Sequence, residues 1–390
     1  MNHDLEQIKR DIITSIDINA PIIGLRNPMV GAGAEDHQWL YPEEYFWTDS
    51  FWTGELWLAY MITGKQEYKN MARMRYAHLK KILDTPLWLN HDLGFEFSLS
   101  AVADYKLTGN LKARDLALKA TEALRNRYNW NGQYIVAWTA GAEDKAHAES
   151  VQGKIIIDCM QNLPLLLWAY DETNIESFKQ VAIGQAETSL KHLVRDDFST
   201  YHTFDFDPVT NKPLKGCTHQ GYSDESCWSR GQAWAIHGFA QLALMTGNLR
   251  YAELSENLTE YMLDKISEDM VPIWDYLLPE NEIQYKDTSA GSVTSAGLYI
   301  LSEVFDKAGK SEKSEYYKNI ANQMLLALRE GYDLTHDPKA QGLLSNSASS
   351  VPHAMERNLP YLANAMLPYG DYYYFEATLR ATGHTKFFGK

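Results

Sequence analysis

The chain has 390 residues, of which 45% are hydrophobic and 12% aromatic, so it is long enough to bury a large core. Its formal net charge of −15 argues against nucleic acid and anionic membranes as partners, because both need a basic surface, although a short anionic ligand can still bind in a locally basic pocket. No apolar run reaches the roughly 18 residues that a membrane span needs.

The cysteines and the first residues of the sequence indicate the cellular compartment of the protein. Cys159, Cys217 and Cys227 form a sparse set without a CxxC pair, which indicates neither a disulfide framework nor a zinc site. The opening MNHDLEQIKRDIITS has acids where a signal peptide has a basic start and an apolar run. We therefore expect a cytoplasmic protein.

A helical hairpin recurs along the chain. In each copy the first helix is apolar or aromatic on nearly all sides, and the second keeps apolar positions on one face and charges on the other. The first helix is therefore expected inside and the second outside. Glycine at the turn suits the left-handed position that ends a helix. Three clear copies turn at Thr63-Gly64, Thr108-Gly109 and Thr246-Gly247.

Three weaker copies begin with NLPLLLWAY, SAGLYILSEVF and GDYYYFEATLR. Six hairpins of this kind predict an all-α fold, an (α/α)6 barrel, and without a composition break we expect one domain over residues 1–390. The connections from each outer helix to the next inner helix lie at one end of such a barrel. They are the long connections here, so function is expected at that end.

Two acids stand at or near the start of inner helices in successive hairpins, Asp92 in WLNHDLGFEF and Asp158 in GKIIIDCMQ. A carboxylate close to a second acid and to apolar neighbours gains a raised pKa, which general acid catalysis needs. The alternative is that each aspartate caps a helix N-terminus. Four other acids remain rivals for the catalytic role: Asp49, Asp224, Glu225 and Asp287.

The stretch from residue 201 to 240 is the most unusual in the sequence. Arg230 opens an apolar inner helix, where its guanidinium can grip a substrate carboxylate or form a buried ion pair with a nearby acid. His202 and His219 lack the spacing of a metal site, so we expect no metal. The polar and aromatic candidates of this stretch are His202, His219, Gln220, Trp228, Arg230, Gln232 and Trp234.

Aromatic residues cluster in the same mouth-proximal segments, where they can stack on sugar faces or simply pack in the core. They are Phe46, Trp47, Phe51, Trp52, Trp88, Trp138, Trp228 and Trp234. The sequence has no glycine-rich phosphate loop and no GxSxG elbow, which argues against nucleotide-dependent enzymes and serine hydrolases. No cofactor is expected.

Over most of its length the chain resembles the unsaturated glucuronyl hydrolases of glycoside hydrolase family 88. The resemblance rests on FWTDSFWTGELWLAY, HDLGF, IIIDCMQNLPLL, YHTFDFDPVT and, most specifically, THQGYSDESCWSRGQAWAIHGFA. It implies an (α/α)6 barrel that removes a Δ4,5-unsaturated uronic acid from oligosaccharides produced by polysaccharide lyases. In this chemistry an aspartate protonates C4 of the vinyl ether, water adds at C5, and the resulting hemiketal expels the remaining sugar chain.

Carried over residue by residue, the resemblance implies that Asp158 transfers the proton and that Asp92 orients the substrate and tunes Asp158. His202, Gln220 and Arg230 are assigned to the uronate carboxylate and adjacent water, and the tryptophans to stacking on sugar rings. The residues implied to line the pocket are Trp47, Phe51, Asn90, Trp138, His202, Gln220, Trp228, Arg230 and Trp234.

The segment 345–368 departs from family members in which a loop containing Ser and Lys accepts sulfated sugars. It has no Lys, and His353 and Arg357 are its only candidate cations, so the resemblance does not extend to a preference for sulfated fragments. Three alternatives stay open: an unsaturated rhamnogalacturonyl hydrolase, an (α/α)6 sugar epimerase and a non-catalytic sugar-binding protein. An epimerase needs paired histidines on separate hairpins, whereas His202 and His219 share one segment, and a binding protein has no need of the aspartate pair.

Overall fold

The computed structural model describes residues 2–32, 36–141 and 145–384 of the chain, and helices dominate this part. The inner and outer helices of the sequence pattern account for most of them. In chain order the helices are α1 Asn2–Ile23, α2 Phe51–Thr63, α3 Gln66–Met74, α4 Tyr76–Asp84, α5 Leu93–Phe97, α6 Ala103–Thr108, α7 Leu111–Arg125, α8 Lys145–Val151, α9 Leu163–Thr173, α10 Glu176–Leu193, α11 Ser229–Thr246, α12 Leu249–Lys265, α13 Thr288–Lys307, α14 Ser311–Tyr332, α15 Val351–Arg357 and α16 Pro368–Ala381.

Six inner positions form a closed ring. They are occupied by α2, by α5 and α6 together, and by α9, α11, α13 and α16, and each packs against the next until α16 returns to α2. A π-helical segment, Ser98–Val102, joins α5 to α6 within one continuous inner element. The ring confirms the predicted all-α (α/α)6 barrel.

The outer layer follows the predicted hairpins with one difference. α3 and α4, α7, α10, α12 and α14 pack outside the ring next to the inner helices that they connect. The sixth outer position, beside α16, is taken by α1 from the other end of the sequence. The last inner helix therefore finds its outer partner through tertiary packing instead of through a local turn.

Glycine ends the first helix of each clear hairpin, as predicted. Gly64, Gly109 and Gly247 have φ values of 68°, 73° and 72°, in the left-handed region that other L-residues rarely adopt. In each case the glycine N–H donates to the carbonyl four residues earlier, for example from Gly64 to Tyr60. These caps turn the chain sharply from the inner layer to the outer layer.

Short strands occur in the connections between hairpins. Three of them form an antiparallel sheet in the order β5, β6, β7, in which Ile156 pairs with Thr203 and Thr203 with Cys217. This sheet joins the connection before α9 to the connection before α11. The strands are β1 Val30–Gly31, β2 Trp39–Leu40, β3 Tyr128–Asn129, β4 Tyr134–Ile135, β5 Lys154–Ile156, β6 Thr203–Phe206 and β7 Pro213–Cys217.

The main hydrophobic core includes buried residues from Leu5 to Leu379, and a small second cluster forms around Trp274 and Val351. α11 and α13 are buried along nearly their whole length, as expected for helices inside a barrel. Among the described residues, no helix has the combination of length and apolar character that crossing a bilayer requires.

Candidate active site

Asp158 lies at the barrel mouth on a 3-10 helix, Ile157–Gln161, between β5 and α9. Its side chain is partly exposed, but Oδ1 is buried and has no hydrogen-bond partner among the described residues. Burial raises the pKa of Asp158 to about 7, against the opposing effect of the nearby Arg230 charge. Because residue 158 lies inside the 3-10 helix, the helix-capping alternative does not describe it.

Asp92 immediately precedes α5, and its side chain makes no capping hydrogen bond to that helix. The residue is buried, and its pKa is raised well above the ordinary value, first by burial and then by the charge of Asp158. Nε2 of His91 lies 3.3 Å from Oδ1 of Asp92. The two aspartates are therefore electrostatic neighbours at the mouth, and neither side chain serves to cap a helix.

His202 reaches the same site through the sheet. Ile157 N–H donates to the carbonyl of His202 at 3.0 Å, which fixes β6 beside the segment that carries Asp158. Nδ1 of His202 accepts from the backbone N–H groups of His219 and Gln220 at 3.1 and 3.3 Å. The ring proton therefore belongs on Nε2, which is buried without a hydrogen-bond partner among the described residues.

The imidazole of His202 is kept neutral by its surroundings. Burial, followed by the charges of His219 and Arg230, lowers its pKa well below the ordinary value. The ring lies against the indole of Trp228, with 4.3 Å between the centroids. A neutral imidazole with one free N–H group can donate a hydrogen bond to a carboxylate or a water at any ordinary pH.

Arg230 forms the buried ion pair that the sequence offered as an alternative to substrate binding. Its Nη1 contacts Oδ2 of Asp287 at 2.5 Å and the carbonyl of Ala348, and Nη2 donates to the carbonyl of Ser349 at 2.7 Å. The Nε2 amide of Gln220 donates to the same Ser349 carbonyl. Arg230 and Gln220 thus both hold the loop before α15 at the mouth.

The aromatic candidates differ in exposure. Trp47 is partly exposed and stacks on Tyr369, with ring centroids 5.0 Å apart, whereas Phe51 and Trp234 are 0% and 1% exposed and pack behind this pair. Trp138 is partly exposed and meets His219 edge to face at 5.6 Å. Trp47 and Trp138 therefore offer ring surface to a ligand, and the two buried rings support the wall.

A cavity of about 490 Å³ opens at the mouth, and its lining includes the cations Lys154 and Arg357 and two histidines. Asn90 and Trp138 form one side of it, and Asn90 also donates to Tyr45 and accepts from the Asp92 N–H group. The full lining is Leu87, Asn90, Trp138, Thr139, Ser150, Val151, Lys154, His219, His353 and Arg357.

The rival acids have other partners. Asp49 is buried, and its Oδ2 lies 2.7 Å from Nε2 of His78. Asp224 accepts from the Thr218 N–H and pairs with Lys215 at the surface. Asp287 pairs with Arg230 and caps α13, whereas Glu225 is exposed. Oδ1 of Asp49 is also buried without a partner among the described residues, but its Oδ2 is held by His78, whereas neither oxygen of Asp158 is held by an ion pair of that kind.

Sequence reasoning missed three features of this site. His91 directly precedes Asp92, and its place in HDLGF was the only signal for it. Tyr369 lies in the first turn of α16, and its apolar surroundings in the sequence indicate a core residue. Lys154 precedes the apolar run before Asp158 in the sequence. It reaches the cavity because β5 pairs with β6, and Asp205 on β6 is its ion-pair partner. Within the described part of the chain, no group of three His, Cys, Asp or Glu side chains is arranged to hold a metal ion.

This arrangement suits proton transfer to a bound sugar. It combines a carboxyl group whose pKa is near neutrality, a second buried acid, a free imidazole N–H group, and a cavity lined by the partly exposed indole of Trp138 together with Lys154 and Arg357. Such a cavity favours a ligand that is both anionic and ring-shaped.

Comparisons with known proteins agree with this chemistry. No protein-family model matches the chain. An unsaturated glucuronyl hydrolase from Bacillus sp. strain GL1 is 36% identical over 363 residues, which cover 93% of this chain and 92% of the relative. An unsaturated chondroitin disaccharide hydrolase from Streptococcus agalactiae serotype III is 35% identical and covers 86% of this chain and 81% of its own length.

The fold is also found among solved structures. The crystal structure of the unsaturated glucuronyl hydrolase from Bacillus sp. GL1, described as responsible for the degradation of glycosaminoglycan, superimposes with a TM-score of 0.88. The match covers 96% of each chain at 34% sequence identity. The whole barrel, including its mouth, is thus shared with that enzyme.

Proposed function

Because this chain belongs to the unsaturated glucuronyl hydrolases, we propose that it is a glycosidase releasing Δ4,5-unsaturated glucuronic acid from the non-reducing end of lyase-generated oligosaccharides. The observation that supports this most directly is Asp158, whose Oδ1 is unpartnered at the barrel mouth and whose pKa is raised to about 7. A carboxyl group with that pKa is present in both protonation states at neutral pH and can act as acid and then as base.

The reaction uses these two states in turn. Protonated Asp158 donates its proton to C4 of the C4=C5 bond, which leaves positive charge shared between C5 and the ring oxygen. Water adds to C5 and returns a proton to the Asp158 carboxylate. The hemiketal opens to a C5 ketone, and C1, now a hemiacetal, releases the remaining sugar chain as an alcohol. One water is consumed and the acid is regenerated.

Other side chains bind and orient the substrate in this proposal. The free Nε2–H group of His202 donates to the uronate carboxylate or to the attacking water. Asp92, kept protonated by burial and by the charge of Asp158, orients the sugar as a hydrogen-bond donor. Trp47 and Trp138 supply the exposed rings for stacking, with Phe51, Trp228 and Trp234 behind or beside them.

Arg230 and Gln220 act in two ways. The positive charge of Arg230 lies close enough to Asp158 to affect its pKa, and so it also attracts a uronate at this site. Their hydrogen bonds to the carbonyl of Ser349 hold the loop that closes the mouth, and Asn90 orders the backbone at Asp92. Each of these residues contributes to the shape of the pocket even where its polar atoms face protein.

The test is the Asp158→Asn variant, assayed by loss of the ultraviolet absorbance of the conjugated unsaturated uronate. We expect release to fall by at least about 10²-fold, the lower range that positioned acid catalysis contributes, with the fold unchanged by circular dichroism. Asp224→Asn is the matched control, because Asp224 is a rival aspartate of the same mouth segment with a surface ion pair. A fully active Asp158→Asn protein contradicts the mechanism.

A panel of unsaturated disaccharides identifies the polysaccharide from which the natural substrate comes. Unsaturated disaccharides from hyaluronan, chondroitin, heparin and xanthan-type polymers are compared with an unsaturated rhamnogalacturonyl disaccharide. Turnover of the last alone would favour the rhamnogalacturonyl hydrolase alternative, and no absorbance change with any of them would favour an epimerase or a binding protein.

We also propose a cytoplasmic location. All three cysteines, Cys159, Cys217 and Cys227, are free and buried, as is common in proteins of reducing compartments. Fractionation of cells expressing the full gene, followed by immunoblotting, tests this.

A further inference from the structure

Asn162 occupies a buried position between the segments of the two aspartates. It follows Asp158 by one helical turn, ends the 3-10 helix, and is 0% exposed. Its Oδ1 accepts a hydrogen bond from the backbone N–H of Phe95 in α5 at 2.8 Å. A backbone N–H group is only a donor, so this contact fixes which end of the amide is oxygen.

The fixed amide determines the tautomer of His91. Nδ2 of Asn162 lies 3.2 Å from Nδ1 of His91, and because Nδ2 can only donate, Nδ1 must accept. The ring proton of the neutral imidazole therefore belongs on Nε2. Burial and the nearby charge of Arg127 lower the pKa of His91 to about 3, so the ring is neutral at working pH.

The proton on Nε2 faces Asp92. Nε2 lies 3.3 Å from Oδ1 of Asp92, a contact that favours Oδ1 as the oxygen without a proton. A hydrogen bond from Asn162 to Asp92 also acts on this carboxyl group and opposes the rise in its pKa. Gly94 allows this close contact between segments, because a Cβ atom there would lie 2.2 Å from Cα of Asn162. The hydrogen bonds run in one direction from Phe95 through Asn162 to His91, and Nε2–H of His91 then faces Asp92.

We propose that Asn162 is a positioning residue that fixes the tautomer of His91 and, together with its own hydrogen bond to Asp92, orients the Asp92 carboxyl group toward the substrate. This inference rests on the proposed function for its catalytic consequence. It also ties the two aspartates together, because Asn162 is attached to the helix of Asp158 and acts on Asp92. A change at residue 162 therefore alters catalysis without touching the substrate.

The first test needs no substrate. Isotope-labelled imidazole nitrogens are observed by NMR in the unaltered protein, and His91→Gln identifies the His91 signals by their loss. We expect a protonated Nε2 and an unprotonated Nδ1. In Asn162→Asp, which keeps the acceptor for Phe95 N–H but presents a second acceptor to Nδ1, we expect the proton to move to Nδ1.

The second test is kinetic. In Asn162→Asp, His91 no longer turns its ring proton toward Asp92, and the amide hydrogen bond to Asp92 is lost, so kcat should fall by about tenfold to a hundredfold while KM changes little. Asn322→Asp is the matched control: Asn322 is a buried asparagine on outer helix α14 that accepts from the Tyr299 hydroxyl, which an aspartate also does. We expect this control to keep the kcat of the unaltered protein.

Three results overturn the inference. They are a protonated Nδ1 on His91 in the unaltered protein, an unchanged kcat in folded Asn162→Asp, and an equal loss of kcat in Asn322→Asp. If Asn162→Asp does not fold, the spectrum of the unaltered protein still decides the tautomer. Absence of hydrolase activity in the unaltered protein would instead refute the proposed function, and the same spectrum would still decide the hydrogen-bond chain.

Discussion

The guanidinium of Arg230 and the carboxylate of Asp287 meet at 2.5 Å with side chains that are 1% and 0% exposed. The pair links the start of α11 to the start of α13, and the remaining donors of Arg230 hold the carbonyls of Ala348 and Ser349. A buried pair of this kind adds little stability against an apolar replacement, but leaving one charge alone is expensive. The pair therefore holds three segments together at the mouth: the start of α11, the start of α13 and the loop of Ala348 and Ser349.

We therefore expect Asp287→Asn to lower the free energy of unfolding by about 3–5 kcal/mol, because it leaves the Arg230 charge buried without an anion. Denaturant unfolding measures the change. Glu44→Gln, which removes the exposed ion pair with Lys81, is the control and should cost less than about 1 kcal/mol. Similar effects of the two variants would show that the buried pair does not hold the mouth.

The rate of hydrolysis should depend on pH through Asp158. The acid must be protonated to donate, and its pKa is raised to about 7, so kcat should be level at lower pH and fall about tenfold per unit above neutrality. Steady-state kinetics across this range give the profile. His202 and His91 are neutral throughout this range because their pKa values are lowered, so their ionisation does not change kcat there. A kcat that stays level well above pH 7 would contradict the role of Asp158.

The same carboxyl group makes stability depend on pH. Its pKa is raised in the folded state, so the folded protein binds the proton more tightly than the unfolded chain, and stability falls as pH rises from about 4 to about 7. In the Asp158→Asn variant residue 158 cannot ionise, so the variant does not lose this stability as the pH rises. Its free energy of unfolding relative to the unaltered protein should therefore be greater at pH ~8 than at pH ~4, by up to a few kcal/mol.

Denaturant unfolding of both proteins at several pH values measures this effect together with the change at Asp92, whose pKa is raised in part by the charge of Asp158. A difference that does not change with pH would mean that Asp158 ionises equally easily in the folded and unfolded states.

Arg357 should affect sulfated substrates more than unsulfated ones, because it lines the mouth cavity with Lys154, His219 and His353. We expect Arg357→Gln to raise KM for a sulfated unsaturated disaccharide by about threefold to tenfold, the value of one exposed charge-assisted hydrogen bond. KM for the unsulfated disaccharide should change less than about twofold. Lys215→Gln, which removes an exposed cation outside the cavity lining, is the control. Equal changes for both disaccharides would exclude a charge interaction with sulfate.

The local part of the fold could be predicted from the sequence. The inner helices are apolar all round and the glycine caps lie within a few residues of the helices that they end, so Gly64, Gly109 and Gly247 carry their signal in their own neighbourhood. The pairing of α16 with α1 has no such signal, because it depends on packing between distant segments. The strands are two to five residues long, too short for a clear alternating pattern.

The residues of the site also fall into those that the sequence made recognisable and those that depend on tertiary contacts. Asp92 and Asp158 were recognisable because each stands out in an apolar context at the start of an inner helix. Lys154 was not, since it reaches the cavity only through the pairing of β5 with β6. Asn162 reads as an ordinary polar residue beside a helix, and its contact with His91 depends on how closely two segments approach at Gly94. Sequence identified the chemistry, and tertiary contacts determined its geometry.

The pairing of α1 with α16 has a kinetic consequence. These contacts close a loop that includes nearly every other residue, and such long-range closure is the slowest kind of step in folding. The inner ring is therefore expected to stay open on one side until late in folding, with the apolar faces of α2 and α16 exposed to aggregation in the meantime. A circular permutant that joins α16 directly to α1 and opens the chain elsewhere should fold faster and with a higher yield of active protein.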